Sequence, residues 1–232
     1  MYFIRFVLLA VLIVLNLSST LFAGSAAPLI FEHGPRDGSK IALTFDACPT
    51  SRSDEYDEKV INVLLAEKVP ATLFMSGRWV EKNPEKTKFL ASQPQFEIAA
   101  HSYYHPHMVE KDNERVLREL KRTQALIKRV TGQTPHFFRP PFGEVDDRVA
   151  KLAAETGLVT VQYDLASGDA DPNLSPQRIE RGVLRDARGG SIIVFHMNRN
   201  GMHKAEVLPV IISGLRKKGF TLVTVGELLK KK

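Results

Sequence analysis

Short apolar runs alternate with amphipathic segments along most of this chain, and that alternation limits the fold more than any other feature. The strand-like runs are IALTF at 41–45, ATLFM at 71–75, FEIAA at 96–100, HFF at 136–138, LVTVQYDL at 158–165, SIIVF at 191–195 and TLVTV at 221–225. Helix-like stretches separate them at 54–68, 83–92, 112–132, 146–157, 175–187 and 204–219. The stretch at 54–68 has acids in its first turn, which suits the positive end of a helix dipole. Asn83 reads as a cap with Pro84 at the first helical position, and Gly132 reads as the residue that ends a helix. Strands alternating with helices predict a parallel sheet covered by helices. The expected fold is therefore α/β, an incomplete (β/α) barrel of about seven parallel strands, with an open doubly wound sheet as the alternative. No G-x-G-x-x-G or G-x-x-x-x-G-K turn follows the first strand, which disfavours a nucleotide-binding fold.

The N-terminus follows a different pattern. Arg5 supplies a short charged start, residues 6–17 are apolar, and residues 18–27 are rich in small side chains. This pattern predicts a secretory signal peptide over residues 1–23, cut near Ala23. A linking segment would follow at 24–39 and the folded domain at 40–229. The roughly 18 mostly apolar residues at 6–23 are marginal for crossing a bilayer, so an uncleaved membrane tether is the alternative. Either way the domain is expected outside the cytoplasm, secreted or in the cell envelope. Cys48 is the single cysteine, so an exported domain would have to be stable without an internal disulfide. The net charge of +6 suits an anionic surface such as a cell wall. Its lysines and arginines are scattered among acids rather than clustered, which with the export signal argues against nucleic acid. Nothing in the composition sets an oligomeric state.

Residues able to do chemistry gather at the ends of the strand-like runs, where barrels place their active groups. HSYYH at 101–105 follows the third run. Two imidazoles four residues apart lie about 13 Å apart on an extended strand and about 6 Å apart across one helical turn. A sharp turn after 100 would let His101 and His105 share one metal ion. Asp46 ends the first run, Arg139 the fourth, and His196 the sixth; Asp164, Asp169 and Asp171 lie at the end of the fifth. Each has an ordinary explanation, as a turn cap, an ion-pair partner or a buried histidine. Their recurrence at successive strand ends points instead to one shared site.

The order TFD, then H-S-x-x-H, then RPPFG, then an aspartate-bearing strand, then an apolar run ending in histidine resembles the polysaccharide deacetylases, the NodB-like domain of carbohydrate esterase family 4. The resemblance runs from about Lys40 to Leu229 and implies an incomplete (β/α) barrel. It implies that Asp46 is the general base, that His101 and His105 bind a divalent metal ion, with Zn²⁺ expected, and that Arg139 orients Asp46. His196 would be the general acid, tuned by an aspartate on the preceding strand, most simply Asp164. A backbone N–H near Phe142 would help hold the oxyanion. The implied activity is metal-dependent removal of N-acetyl groups from a polysaccharide, most plausibly peptidoglycan. An O-acetyl esterase on a xylan-like glycan and a catalytically weakened glycan-binding domain are the alternatives. One position departs from the family pattern: Ala47 stands where an acidic metal ligand is expected, followed by Cys48. Asp46 with waters, the Cys48 thiolate, or a weak site completed by water would each complete the shell. The first is expected, on the reasoning that a cysteine one residue further along a strand end changes face. The segments 166–172 and 196–206 also depart and resemble a divergent branch with a TFDAC first motif.

Overall fold

The structure is a computed structural model that describes residues 30–49, 57–198 and 203–230. The expected signal peptide at 1–23 and the start of the helix-like stretch at 54–68 lie outside the described residues. No helix among the described residues is long and apolar enough to cross a membrane.

In chain order the elements are β1 (Ile30–Phe31), β2 (Lys40–Ala47), α1 (Glu58–Ala66), β3 (Ala71–Met75), α2 (Gly77–Lys82), α3 (Pro84–Ala91), β4 (Phe96–Ala100), α4 (Asn113–Thr131), β5 (Phe137–Phe138), α5 (Asp147–Glu155), β6 (Val159–Val161), β7 (Leu165–Ala166), α6 (Pro176–Asp186), β8 (Ile192–His196), α7 (Lys204–Lys217), β9 (Thr221–Val223) and α8 (Val225–Leu229). Among the described residues nine strands form one sheet in the order β1-β6-β5-β4-β3-β2-β8-β7, with β9 pairing with β2. Every pairing between these strands is parallel. The sheet curls into the incomplete (β/α) barrel the alternation predicts, open along a seam between β1 and β7. One strand lies upstream of the expected boundary at 40: β1 joins the sheet beside β6.

Side chains alternate across the pleat of β2, and this sorts the core into two layers. Ile41, Leu43, Phe45 and Ala47 face the helices, packed with residues such as Leu64, Trp79 and Ile211. Ala42 faces the barrel interior with Phe74, Ala99, Val161 and Ile192. Thr44 and Asp46 share that interior side by parity, so these two polar residues lie inside the barrel toward the C-terminal end of β2. Burial on both faces explains why the strands read as unbroken apolar runs.

Of the two helix ends read from the sequence, Gly132 behaves as expected and Asn83 does not. Asp112, Asp146 and Ser175 each accept from a backbone N–H in the first turn of α4, α5 and α6. Gly132 ends α4 in the left-handed region at φ 76°. Asn83 does not cap α3 with its side chain; its amide donates back to the Trp79 carbonyl of α2. A second helix, α2, precedes α3 so closely that its C-terminal carbonyl outcompetes the cap.

Candidate active site

A cleft of about 700 Å³ opens at the C-terminal ends of β2, β4 and β8, lined by Asp46, Cys48, His101, His105, Arg139 and His196 among others. Asp46 and His196 are Cα partners across the β2–β8 pairing, so their side chains leave neighbouring strands side by side. The C-terminal ends of the barrel strands thus bring one carboxylate and one imidazole to a single point without any loop rearrangement.

Asp46 is held from below. Arg139 Nη1 donates to Asp46 Oδ1 at 2.8 Å and to Thr44 Oγ1 at 2.8 Å, and Nη2 donates to the Gln162 carbonyl at 3.2 Å. The guanidinium lies 4.0 Å from the centroid of the Phe74 ring and is 1% exposed. Burial alone would raise the Asp46 pKa. The Arg139 charge, helped by His101 and His196, outweighs it and holds the carboxyl below its ordinary value. Asp46 is therefore a carboxylate at neutral pH.

Two histidines come together through a turn rather than the helical turn the spacing suggested. Ser102 and His105 take left-handed φ values of 55° and 59°, each costing about 1–2 kcal/mol for a residue with a Cβ. The turn is paid for by its hydrogen bonds. His105 N–H donates to Ser102 Oγ, and Gly77 N–H and Arg78 N–H at the start of α2 donate to the Ser102 and Tyr103 carbonyls. Glu119, buried in α4, accepts from the N–H groups of Tyr103 and Tyr104 at 2.8 and 2.7 Å and pairs with Arg115. The two imidazoles then meet edge to face, centroids 4.8 Å apart. Burial lowers both: His101 falls below its ordinary value, and burial with the nearby His101 takes His105 to about 3. Both are neutral imidazoles at neutral pH, the form that binds metal. His101 Nδ1 donates to the Arg139 carbonyl at 2.8 Å, so the lone pair is left on Nε2, facing the cleft.

Cys48 is where the sequence reading goes wrong. It does not turn away from the site. Asp46 and Cys48 are two residues apart and share a strand face, whereas Ala47 between them points into the apolar layer under the helices. Cys48 Sγ lies 3.5 Å from His101 Nε2. The donor atoms of Cys48, His101 and His105 all lie within 4.8 Å of one another and form a possible metal-binding group. Burial, with Asp46 and Asp169 nearby, pushes the Cys48 thiol well above its ordinary range. Two imidazoles and a sulfur grouped on the cleft wall suit a borderline-soft divalent ion.

Asp164 is the second correction. It does not touch His196. Its Oδ1 accepts from Ile192 N–H at the opposite end of β8, and its Oδ2 accepts from Arg36 and Ser191. The run 158–165 does not form one strand: β6 ends at Val161 and β7 starts at Leu165, so Asp164 precedes a strand instead of ending one. The carboxylate on His196 is Asp169, 2% exposed, whose Oδ2 accepts from the His196 backbone N–H at 2.8 Å and whose Oδ1 accepts from Nδ1 at 3.0 Å. Ser167 Oγ also donates to Asp169 Oδ1. Burial would lower the His196 pKa, but the Asp169 hydrogen bond and charge, with Asp46 adding, lift it above its ordinary value. Asp169 is one of the three acids the sequence offers after the fifth run; it follows β7 by three residues, whereas Asp164, the acid within the apolar run, precedes that strand. Glu119 gave no sequence signal at all, because a glutamate inside an amphipathic helix reads as solvated surface.

At the rim, Phe142 takes φ 60° and is 53% exposed, its ring stacked on His107 at 4.0 Å and meeting His105 at 4.5 Å. Left-handed His105 and Phe142 line the cleft and left-handed Ser102 directly follows His101, in keeping with the common concentration of backbone strain at functional sites.

Comparison with known proteins agrees with this geometry. A model of the family described as Polysaccharide deacetylase matches residues 33–161. A peptidoglycan-N-acetylglucosamine deacetylase of Bacillus cereus is 30% identical over 199 residues, which is 85% of this chain and 70% of that protein. A solved peptidoglycan N-acetylglucosamine deacetylase superposes with a TM-score of 0.79 at 29% identity, over 88% of this chain and 93% of the other. A CE4 family pseudoenzyme from Bacillus anthracis superposes at 0.80 with 26% identity, over 88% of this chain and 70% of that one, and a mutant of it is described as having restored enzymatic activity. By its motifs, its parallel half-barrel and these relatives, the chain belongs to the polysaccharide deacetylase family of hydrolases.

Proposed function

We propose that this protein is an exported, metal-dependent N-deacetylase that releases acetate from N-acetylated sugars of peptidoglycan. One observation carries the reading: a carboxylate anchored by Arg139 and an imidazole anchored by Asp169 stand on adjacent strands beside a cluster of metal-ligand side chains. Amide hydrolysis needs a base for the attacking water and an acid for the departing amine. Asp46 keeps one oxygen on Arg139 and has the other, Oδ2, 3.8 Å from His101 Nε2, where it accepts the water's proton. His196, held protonated by Asp169, gives its proton to the leaving nitrogen. Arg139 fixes the carboxylate's direction, and Thr44 fixes Arg139. His101 and His105 would hold a divalent ion, Zn²⁺ by the softness of the donors, which supplies Lewis acidity at the acetyl carbonyl and acidifies a nearby water. The peptidoglycan deacetylases among the relatives support this substrate, and the apolar N-terminal stretch supports export to the envelope.

A second reading has its own support. Ala47 replaces an expected acidic ligand, and the Bacillus anthracis structure is a pseudoenzyme. On that reading the cleft binds glycan without turnover. Acetate release should be measured on peptidoglycan, chitooligosaccharides and acetylxylan, with the protein stripped of metal and then reloaded with Zn²⁺ or Co²⁺. The first reading expects metal-restored release from the N-acetylated glycans. Release from acetylxylan alone would make it an O-acetyl esterase. Glycan binding with no release under any metal would make it a binding domain.

A further inference from the structure

We propose that Cys48 is the third protein ligand of the metal site, so that the ion is held by a thiolate and two imidazoles while Asp46 stays free for proton transfer. This rests on the reading that the cleft takes a divalent ion.

Distance is the first argument. Bonds of about 2.3 Å to sulfur and about 2.0 Å to nitrogen, opened to the tetrahedral angle, place the two donors about 3.5 Å apart. Cys48 Sγ and His101 Nε2 are 3.5 Å apart. His105 completes a triangle whose edges are at most 4.8 Å, so small side-chain rotations close it on one ion. The lone pair of His101 is already directed there, because its other nitrogen donates to the Arg139 carbonyl.

Direction is the second. Ala47 carries only a methyl group, packed in the apolar layer with Met75 and Trp79, so it offers the cleft no ligand atom. Cys48 lies on the cleft side, 7% exposed and lining the wall. Its backbone is clamped: the Asn198 side-chain amide donates to the Cys48 carbonyl, and the buried Lys204 ammonium donates to the Asn198 carbonyl. A cysteine that only filled apolar space would not need its backbone tied across two strand ends.

Division of labour is the third. Asp46 Oδ1 is committed to Arg139. If Oδ2 were a metal ligand, the carboxylate would lose its freedom to take a proton. A thiolate in the ligand position removes that conflict. It also changes which ions fit: sulfur with two imidazoles selects Zn²⁺ or Co²⁺ over oxygen-seeking Mg²⁺ and Mn²⁺.

The test is optical and needs no substrate. Full-length protein stripped of metal is titrated with Co²⁺. Wild type should develop a thiolate-to-cobalt charge-transfer band in the near ultraviolet. Cys48→Ser should lack the band and bind Zn²⁺ at least roughly 100-fold more weakly, while Cys48→Asp should recover binding without the band. Far-ultraviolet circular dichroism checks that each variant folds. Should Cys48→Ser fail to fold, the rate at which a thiol reagent labels unfolded-free wild type is compared with and without Zn²⁺, and protection by Zn²⁺ is expected. An unchanged Zn²⁺ affinity in Cys48→Ser, or labelling indifferent to Zn²⁺ in protein shown to hold the ion, overturns the Cys48 assignment alone. Failure of wild type to bind either ion overturns the metal-dependent reading as well.

Discussion

Two N–H groups of His196, at Nδ1 and at its backbone N, end on one carboxylate, Asp169. That grip makes the imidazolium the favoured form against the burial that opposes it. Asp169→Asn keeps the shape and removes the charge. Burial then wins, and the His196 pKa falls. The alkaline limb of kcat/KM against pH should move to lower pH, and turnover at neutral pH should drop by roughly 10²–10⁴-fold, the usual worth of a positioned acid. A stability signature accompanies it. His196 has a folded pKa above its unfolded value, so its pairing with Asp169 stabilises fully below about pH 6.5 and is lost as pH rises through the raised folded value. Chemical denaturation should therefore show the Asp169→Asn deficit at about pH 5.5 and a smaller one at about pH 9. An unmoved alkaline limb would mean that another group carries the proton. Asp46, His101, His105, Arg139 and His196 were legible from the sequence because each ends or follows a strand that the apolar pattern marks clearly. Which acid meets His196 and which way Cys48 faces were not, since a loop carboxylate's aim and a side chain's face beyond a strand end depend on backbone angles that composition does not report.

The turn that brings the imidazoles together is supported by elements distant in sequence. Gly77 opens α2 directly against Tyr103, and a Cβ added there would lie 2.1 Å from the Tyr103 ring. Gly77→Ala should push that ring away, cost about 1–3 kcal/mol as overpacking does, and weaken Zn²⁺ binding by displacing the loop between His101 and His105. Glu119→Gln should act on the same loop from the other side. It leaves the packing, weakens the bonds to the Tyr103 and Tyr104 N–H groups, and breaks the pairing with Arg115. Isothermal titration with Zn²⁺ should show a loss of roughly 10–100-fold, and an unchanged affinity in both variants would show that the turn holds itself. Elements of this size divide by how loudly they announce themselves. The long amphipathic α4 and the apolar β2, β3 and β4 were read nearly to the residue. The six-residue α2 went unread because a helix that short has too few turns to show periodicity. The split of 158–165 into β6 and β7 went unread because Gln162 and Asp164 interrupt an otherwise apolar stretch only at its polar end.

At the scale of the whole molecule the barrel separates chemistry from stability along its axis. The C-terminal ends of the strands carry the cleft, and the opposite end carries contacts that tie the N-terminal segment to the sheet beside the seam. Asp164 lies at that seam. It accepts from Arg36 on the loop after β1, from Ser191, and from the first N–H of β8, joining the N-terminal segment to the start of the strand that ends in His196. The chain also approaches itself closely there: a Cβ on Gly189 would lie 2.0 Å from the Gly38 carbonyl oxygen. Five residues of β8 separate Asp164 from His196, a rise of about 13 Å. Asp164→Asn should therefore behave opposite to Asp169→Asn. Weakening three hydrogen bonds to a largely buried carboxylate should cost about 1–3 kcal/mol, which for a chain of this size lowers Tm by about 2–4 °C per kcal/mol. The pH profile of activity should stay where it is in wild type, because the substitution leaves the His196–Asp169 pair intact. Differential scanning calorimetry and a kcat/KM pH series on the two variants side by side read both axes of the contrast. If Asp164→Asn moves the alkaline limb while Tm holds, the seam and the cleft are coupled, and the separation of stability from chemistry along the barrel axis fails for this protein.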